Sequence, residues 1–143
     1  MVFSAIVLAI DMKKIWFTFC LLLACIDSTS AASDMEVESA LADAARVMNF
    51  SISQQPPNVY PRLVSFVAGP GRQVIMTLAH QSLASEWSTE MKEEARNKLL
   101  VGYCTGANFA YFRDESVIAK YVTLDRVGAL ISSFSYEVKN CEK

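Results

Sequence analysis

Residues Cys104–Cys141 read CTGANFAYFRDESVIAKYVTLDRVGALISSFSYEVKNC, and this stretch decides the fold. A polar helical pattern runs into Cys104. Downstream, Ser116 to Thr123 and Ala129 to Val138 alternate apolar and polar residues on either side of Leu124-Asp125-Arg126-Val127-Gly128. Two such runs around an Asp/Gly turn predict a β-hairpin. Cys141 closes the segment. Of the four cysteines, Cys20 and Cys25 lie in the N-terminal apolar run, so the body keeps an even pair, Cys104 and Cys141. In an exported chain an even pair favours a disulfide, here tying the last hairpin to the end of the preceding helix. The alternative is two unrelated buried thiols.

Working outward, the helix is predicted over about Ser88 to Tyr103, with Ser85 and Ser88 as candidate N-caps. Glu90, Glu93 and Glu94 sit early and Arg96 and Lys98 late, which suits the helix dipole. Met91, Ala95, Leu99 and Tyr103 make one stripe, and Trp87 is placed to staple the start. Upstream, Arg62 to Val67 and Arg72 to Ala79 flank Ala68-Gly69-Pro70-Gly71, a second hairpin. Val64 and Phe66 should share a face, as should Val74, Met76 and Leu78, with Gln73 and Thr77 opposite. That apolar face needs a cover, expected from the Ser88 helix.

Further upstream, Ser33-Asp34-Met35-Glu36 is a capping-box pattern. It opens a helix with Val37, Leu41, Ala44 and Met48 on one face, expected to fade at Asn49 into a loop over Phe50 to Tyr60. Ala107 to Arg113 suggests one short helical turn. In the last strand Leu130, Ser132, Phe134, Tyr136 and Val138 should share a face. The fold class is α+β, in the order α-β-β-α-(α)-β-β. Two hairpins form an antiparallel sheet of about four strands, with helices packed on one face.

The chain has 143 residues, enough for one domain. Its net charge is −2, and without the residues before Cys25 it is −3, since Asp11, Lys13 and Lys14 go with them. No basic run or basic-aromatic interleaving is present, which argues against nucleic acid. Met12-Lys13-Lys14 followed by the apolar Ile15 to Ala24 reads as a signal peptide with its true start at Met12. Joining this run to Val2–Ile10 as one anchor would put charges in mid-span. Leu22-Leu23-Ala24-Cys25 resembles the lipobox of bacterial lipoproteins, which implies acylation of Cys25. The competing site is cleavage after Ser30-Ala31-Ala32. The expected organisation is a signal peptide over 1–25, a tether over 26–33 and a single exported domain over 34–143.

Across residues 60 to 141 the order is a Gly69-Pro70-Gly71 hairpin, a polar helix, Gly102-Tyr103-Cys104, Phe112, Lys120-Tyr121, a turn from Asp125 to Gly128, and Asn140-Cys141. This resembles a loose set of small bacterial secreted proteins and lipoproteins of uncharacterised role. It is also similar to the quorum-sensing-regulated virulence factor family and, in size and disulfide use, to the secretin pilotins. Where Tyr alternates in the first hairpin of such proteins, this chain has Ile75 and Thr77. The shared motifs are structural, so the resemblance carries over no catalytic residue. It implies a periplasmic or envelope protein.

The sequence points to no catalytic residue, metal or cofactor. The one histidine, His80, lies near Ser82 and Ser85 but in no nucleophile-elbow pattern. One His beside oxidised cysteines makes a poor zinc site. Asp114-Glu115 reads as a solvated turn. Aromatic residues are the better lead: Phe109, Tyr111, Phe112, Tyr121, Phe134 and Tyr136 fall inside the disulfide-closed segment. They make either a core of rings or an exposed patch for a protein partner, the candidate surface being Phe109, Tyr111, Phe112, Tyr121 and Tyr136. The function expected is a non-catalytic envelope accessory protein, lipid-anchored through Cys25 and binding another envelope or secreted protein. The alternative is a small secreted enzyme or inhibitor acting on envelope or extracellular substrates, a class that loss of an activity in His80→Ala would favour.

Overall fold

Ser33 begins the described part of the chain, residues 33–142 of a computed structural model. Its hydroxyl accepts a hydrogen bond from the Glu36 N–H, and the Glu36 carboxylate accepts one from the Ser33 N–H. This reciprocal cap starts helix α1 (Asp34–Ser53). The signal segment, the start at Met12, the tether up to Ala32 and Cys25 lie outside the described residues. Val37, Leu41, Ala44 and Met48 share the buried face, together with Ala45. The helix does not fade at Asn49. Ile52 packs on the core and draws the last turn in, while the Ser53 hydroxyl folds back onto the Phe50 carbonyl at 2.6 Å.

Strands β1 (Arg62–Gly69) and β2 (Gln73–Ala79) form the first hairpin. Its turn needs left-handed backbone at Gly71 (φ 71°) and Arg72 (φ 56°). A bulge between Leu63 and Ser65 changes the face expected for β1. Leu63 and Phe66 are buried, and Val64 is only half-buried, because the extra residue rotates the strand before the bulge. A single 3₁₀ turn (Ala84–Glu86) leads to helix α2 (Thr89–Thr105), capped by the Ser88 hydroxyl on the Met91 N–H. Another 3₁₀ turn (Ala107–Phe109) runs into the short α3 (Ala110–Asp114). Strands β3 (Ile118–Leu124) and β4 (Leu130–Tyr136) make the second hairpin, and a last 3₁₀ turn ends at Cys141. A bulge also interrupts this hairpin between Thr123 and Leu124. It leaves Leu130 exposed and Ile131 buried, against the simple alternation expected.

The four strands stand in the order β1-β2-β3-β4, with helices on one side. Both hairpins are antiparallel. They are joined by a parallel pairing of β2 with β3, so the sheet is mixed and mostly antiparallel. The parallel join follows from the connection. A chain leaving β2 through a helix and returning beside it runs in the same direction. The covered face is shared: α1 packs along β1, and α2 packs on β4 and the terminal turn. The first hairpin is therefore covered by α1, and the Ser88 helix, expected there, packs on the last strand and the terminal turn instead. Between helices and sheet lie Phe66, Val74, Met76, Ala119, Tyr121 and Tyr136, with Tyr103, Phe112 and Val117 closing one end. Cys104 and Cys141 form a disulfide with their Cα atoms 5.4 Å apart.

Candidate functional site

The aromatic residues form a core of rings. Phe112, Tyr121 and Tyr136 are buried, and Phe109 and Tyr111 pack partly buried against the core. Tyr103 lies 5.9 Å from Phe109 and 6.2 Å from Tyr136, centroid to centroid, and Tyr121 lies 5.6 Å from Tyr136. The Tyr103 hydroxyl donates to the Val117 carbonyl at 3.0 Å, and the Tyr136 hydroxyl to the Arg96 carbonyl at 2.7 Å. Burial pushes the Tyr136 hydroxyl up to about 12 and raises Tyr121 as well. Phe112, Tyr121 and Tyr136 thus offer no exposed patch to a partner. Aromatic side chains carry the most apolar area per residue, and the last hairpin uses them to fill the space under α2.

His80 follows β2, where its N–H donates to the Leu124 carbonyl at 2.8 Å. Its Nδ1 sits 2.6 Å from the Ser82 hydroxyl and accepts from the Ser82 N–H at 3.2 Å. The Trp87 Nε1–H donates to the same hydroxyl at 3.1 Å, and the Trp87 ring meets the imidazole edge-on at 4.9 Å. Burial holds the imidazole below its usual pKa. Among the described residues no carboxylate is hydrogen-bonded to this ring. The arrangement folds the 80–87 loop, and it lacks the third group that would orient a catalytic base. Asp125 braces the same corner. Its carboxylate accepts from the N–H groups of Ala84 (3.0 Å), Val127 (2.9 Å) and Ala129 (2.7 Å).

Two residues that sequence reasoning passed over position the outer edge. Asn49 lies at the open side of α1, where its amide donates to the Phe66 carbonyl (2.7 Å) and accepts from the Phe66 N–H (3.0 Å). It takes the place of a neighbouring strand on the free edge of β1. Beside it runs a shallow groove lined by Ala42, Ala45, Arg46 and Asn49 of α1 and by Phe66, Val67 and Ala68 of β1. Just past β1, in the hairpin turn, Arg72 reaches Asp34 at 2.7 Å, the Glu115 carbonyl at 2.8 Å and the Glu115 carboxylate at 3.4 Å. The Gly71 N–H donates to Glu38 at 2.8 Å. These contacts lock the start of α1 onto the first hairpin turn. Asp114 is exposed and Glu115 is held by Arg72. Among the described residues no three His, Cys, Asp or Glu side chains are grouped to hold a metal. None of the described helices is long and apolar enough to cross a membrane.

The sheet face away from the helices is the second surface. Cross-strand partners share a face, so Val67, Ile75, Lys120 and Ser135 form one row across it. Ser65, Thr77, Val122 and Ser133 form the next, and Arg62, Ala79 and Leu124 lie at the end.

No family model matches the chain, and no curated protein matches it in sequence. The likeness to the quorum-sensing-regulated virulence factor family finds no support in these comparisons. Three solved structures do share the fold. EpsS, the pilotin of the Vibrio vulnificus type 2 secretion system, superposes with a TM-score of 0.62 at 14% identity, over 77% of this chain and 96% of its own. A candidate secreted protein from Pseudomonas aeruginosa gives 0.62 at 14% identity, over 80% and 100%. AspS, the type II secretion pilotin of Vibrio cholerae, gives 0.58 at 13% identity, over 76% and 94%. This chain is therefore similar in fold, across nearly the whole of each neighbour, to two type II secretion pilotins.

Proposed function

We propose that this chain is a non-catalytic accessory protein of the bacterial envelope that acts as a pilotin, binding a secretin subunit and assisting its assembly. The observation that supports this most is the likeness to EpsS and AspS over 96% and 94% of their lengths. A likeness of that extent takes in the entire domain. The chemistry on the page agrees. His80 and Ser82 serve a loop turn, and the surfaces left open are an edge groove and a sheet face. Both surfaces suit a protein segment. In this reading Cys25 is acylated and holds the domain at the membrane, with the residues up to Ser33 as its tether.

The test is affinity purification of the tagged full chain from envelope extracts in mild detergent, with the intact mass of the mature protein. A secretin recovered in stoichiometric amount, on a chain beginning at a diacylated Cys25, is the expected result. Recovery of no stoichiometric envelope partner would remove the proposal. A mature chain beginning at Ser33 would remove the lipid anchor alone.

A further inference from the structure

His80, the single histidine of the chain, stands where β2 hands over to the 80–87 loop. An imidazole is the ordinary side chain that changes charge between about pH 5 and 8. Here the hydrogen bonds fix which form it takes. An indole N–H can only donate. The Trp87 Nε1–H therefore fills one lone pair of the Ser82 hydroxyl at 3.1 Å, and that hydroxyl turns its own proton to Nδ1 across 2.6 Å. The Ser82 backbone N–H meets the same nitrogen at 3.2 Å. Two donors thus converge on Nδ1, which carries no proton. The imidazole is neutral, with its hydrogen on Nε2. A second proton would have to enter at Nδ1, facing the Ser82 N–H. The hydroxyl can turn round to accept it. The backbone N–H cannot, and would be left unpaired. Burial of the ring acts in the same direction, by disfavouring the charged form.

The charged groups around this corner do not offset that preference. On the loop, the Glu86 carboxylate accepts from the Leu83 N–H at 3.0 Å, and at the start of α2 Glu90 is turned onto Ser88. On the turn between β3 and β4, Asp125 is occupied by the N–H groups of Ala84, Val127 and Ala129, and Arg126 is exposed. On β1, Arg62 pairs in register with Ala79 and lies over the Tyr60 ring at 5.7 Å. Among the described residues none of these forms an ion pair with His80. We propose that His80 is an acid-sensitive latch: neutral, it holds the 80–87 loop closed through Ser82 and Trp87, and a proton taken up from solvent at Nδ1 releases that part of the loop. A histidine held neutral on folding contributes fully above its unfolded value of about 6.5, and that contribution is lost as pH falls toward the folded value. The loop has a second tie, the Ala84 N–H on Asp125. Acid removes it later, because that carboxyl titrates below the ordinary carboxylate range. Between about pH 6.5 and about pH 4 the two ties separate, and only the Ser82–Trp87 part opens. The latch belongs to the domain itself and stands whether or not the chain serves a secretin.

The untagged, isotope-labelled mature protein carries one imidazole, so NMR reads its titration directly. At about pH 7 the ring nitrogen shifts should show the hydrogen on Nε2, and the titration midpoint should lie below about 6.5. From about pH 7 to about pH 5, exchange of the Ser82 amide and the Trp87 indole N–H should quicken relative to an unstructured chain. The expected rise is at least about threefold and at most about 25-fold, a ceiling set by the ordinary histidine value. The Ala84 amide should not change over that range. Ser82→Ala removes the hydroxyl that favours the neutral ring and should move the midpoint up toward about 6.5. His80→Asn keeps an acceptor near the position of Nδ1 and does not titrate, so its loop should show no such rise. The wild-type titration decides the matter even where a variant fails to fold. A proton on Nδ1 at about pH 7, a midpoint at or above about 6.5, an equal rise at Ala84, or the same rise in His80→Asn would overturn the proposal.

Discussion

Breaking the Cys104–Cys141 bond should cost this domain a large part of its stability. The bond closes a loop of 37 residues between the end of α2 and the last residue of the terminal turn. Constraining a loop of that length in the unfolded chain contributes roughly 4 kcal/mol at 25 °C. A domain of about 110 residues gains roughly 0.23 kcal/mol/K of unfolding entropy near its midpoint, so the loss corresponds to a fall in Tm of about 17 °C. The double variant Cys104→Ala, Cys141→Ala and the reduced wild type should melt together by calorimetry, both well below the oxidised protein. The pair separates two causes. If packing of the half-buried sulfurs dominated, the alanine variant would fall and the reduced protein would not. A gap of less than about 4 °C between oxidised and reduced wild type, under 1 kcal/mol, would refute the reasoning. It would mean that the contacts of Tyr136 and Phe134 with Arg96 hold the tail without the bond.

Asn49→Ala strips both hydrogen bonds from Phe66 and should lower the free energy of urea unfolding by about 1–3 kcal/mol. Asn49→Asp should not restore it, because a carboxylate would face the Phe66 carbonyl; full rescue by Asp would rule out this account. Gly106→Ala should destabilise by about 1–3 kcal/mol, since a Cβ there would stand 2.5 Å from the Gly102 carbonyl oxygen. A wild-type urea midpoint for that variant would show that the end of α2 yields freely. For Asp125, the N–H of Ala84 and then those of Ala129, Val127 and Gly128 hold the carboxyl below the ordinary carboxylate range, against the opposing effect of burial. A group depressed on folding stabilises above its unfolded pKa, about 4, and loses that contribution as pH falls through its folded value. The Tm advantage of wild type over Asp125→Asn should therefore be constant above about pH 5 and shrink below about pH 4. An advantage that grows on acidification would contradict the assigned sign.

The sequence by itself determined the local elements and the class of fold. Ser33 and Glu36 mark the first cap, and Gly71 and Gly128 the two turns. The even pair Cys104 and Cys141 pointed to the bond that closes the end of the chain. Each of these is read within a few residues or from a count, so no tertiary knowledge is needed. Tertiary structure alone decided three things. The hairpins join through parallel strands because the path of the connection, and no residue of β2 or β3, sets their relative direction. The bulges near Leu63 and Leu124 reversed faces that alternation had assigned, because one extra residue turns every side chain beyond it. The aromatic residues of the last hairpin went inside, since composition says how much apolar area a segment carries and only packing says which side of the sheet the helices cover. For the same reason Asn49 and the open face were illegible beforehand. Each exists only where elements distant in sequence meet, or where they leave a surface uncovered.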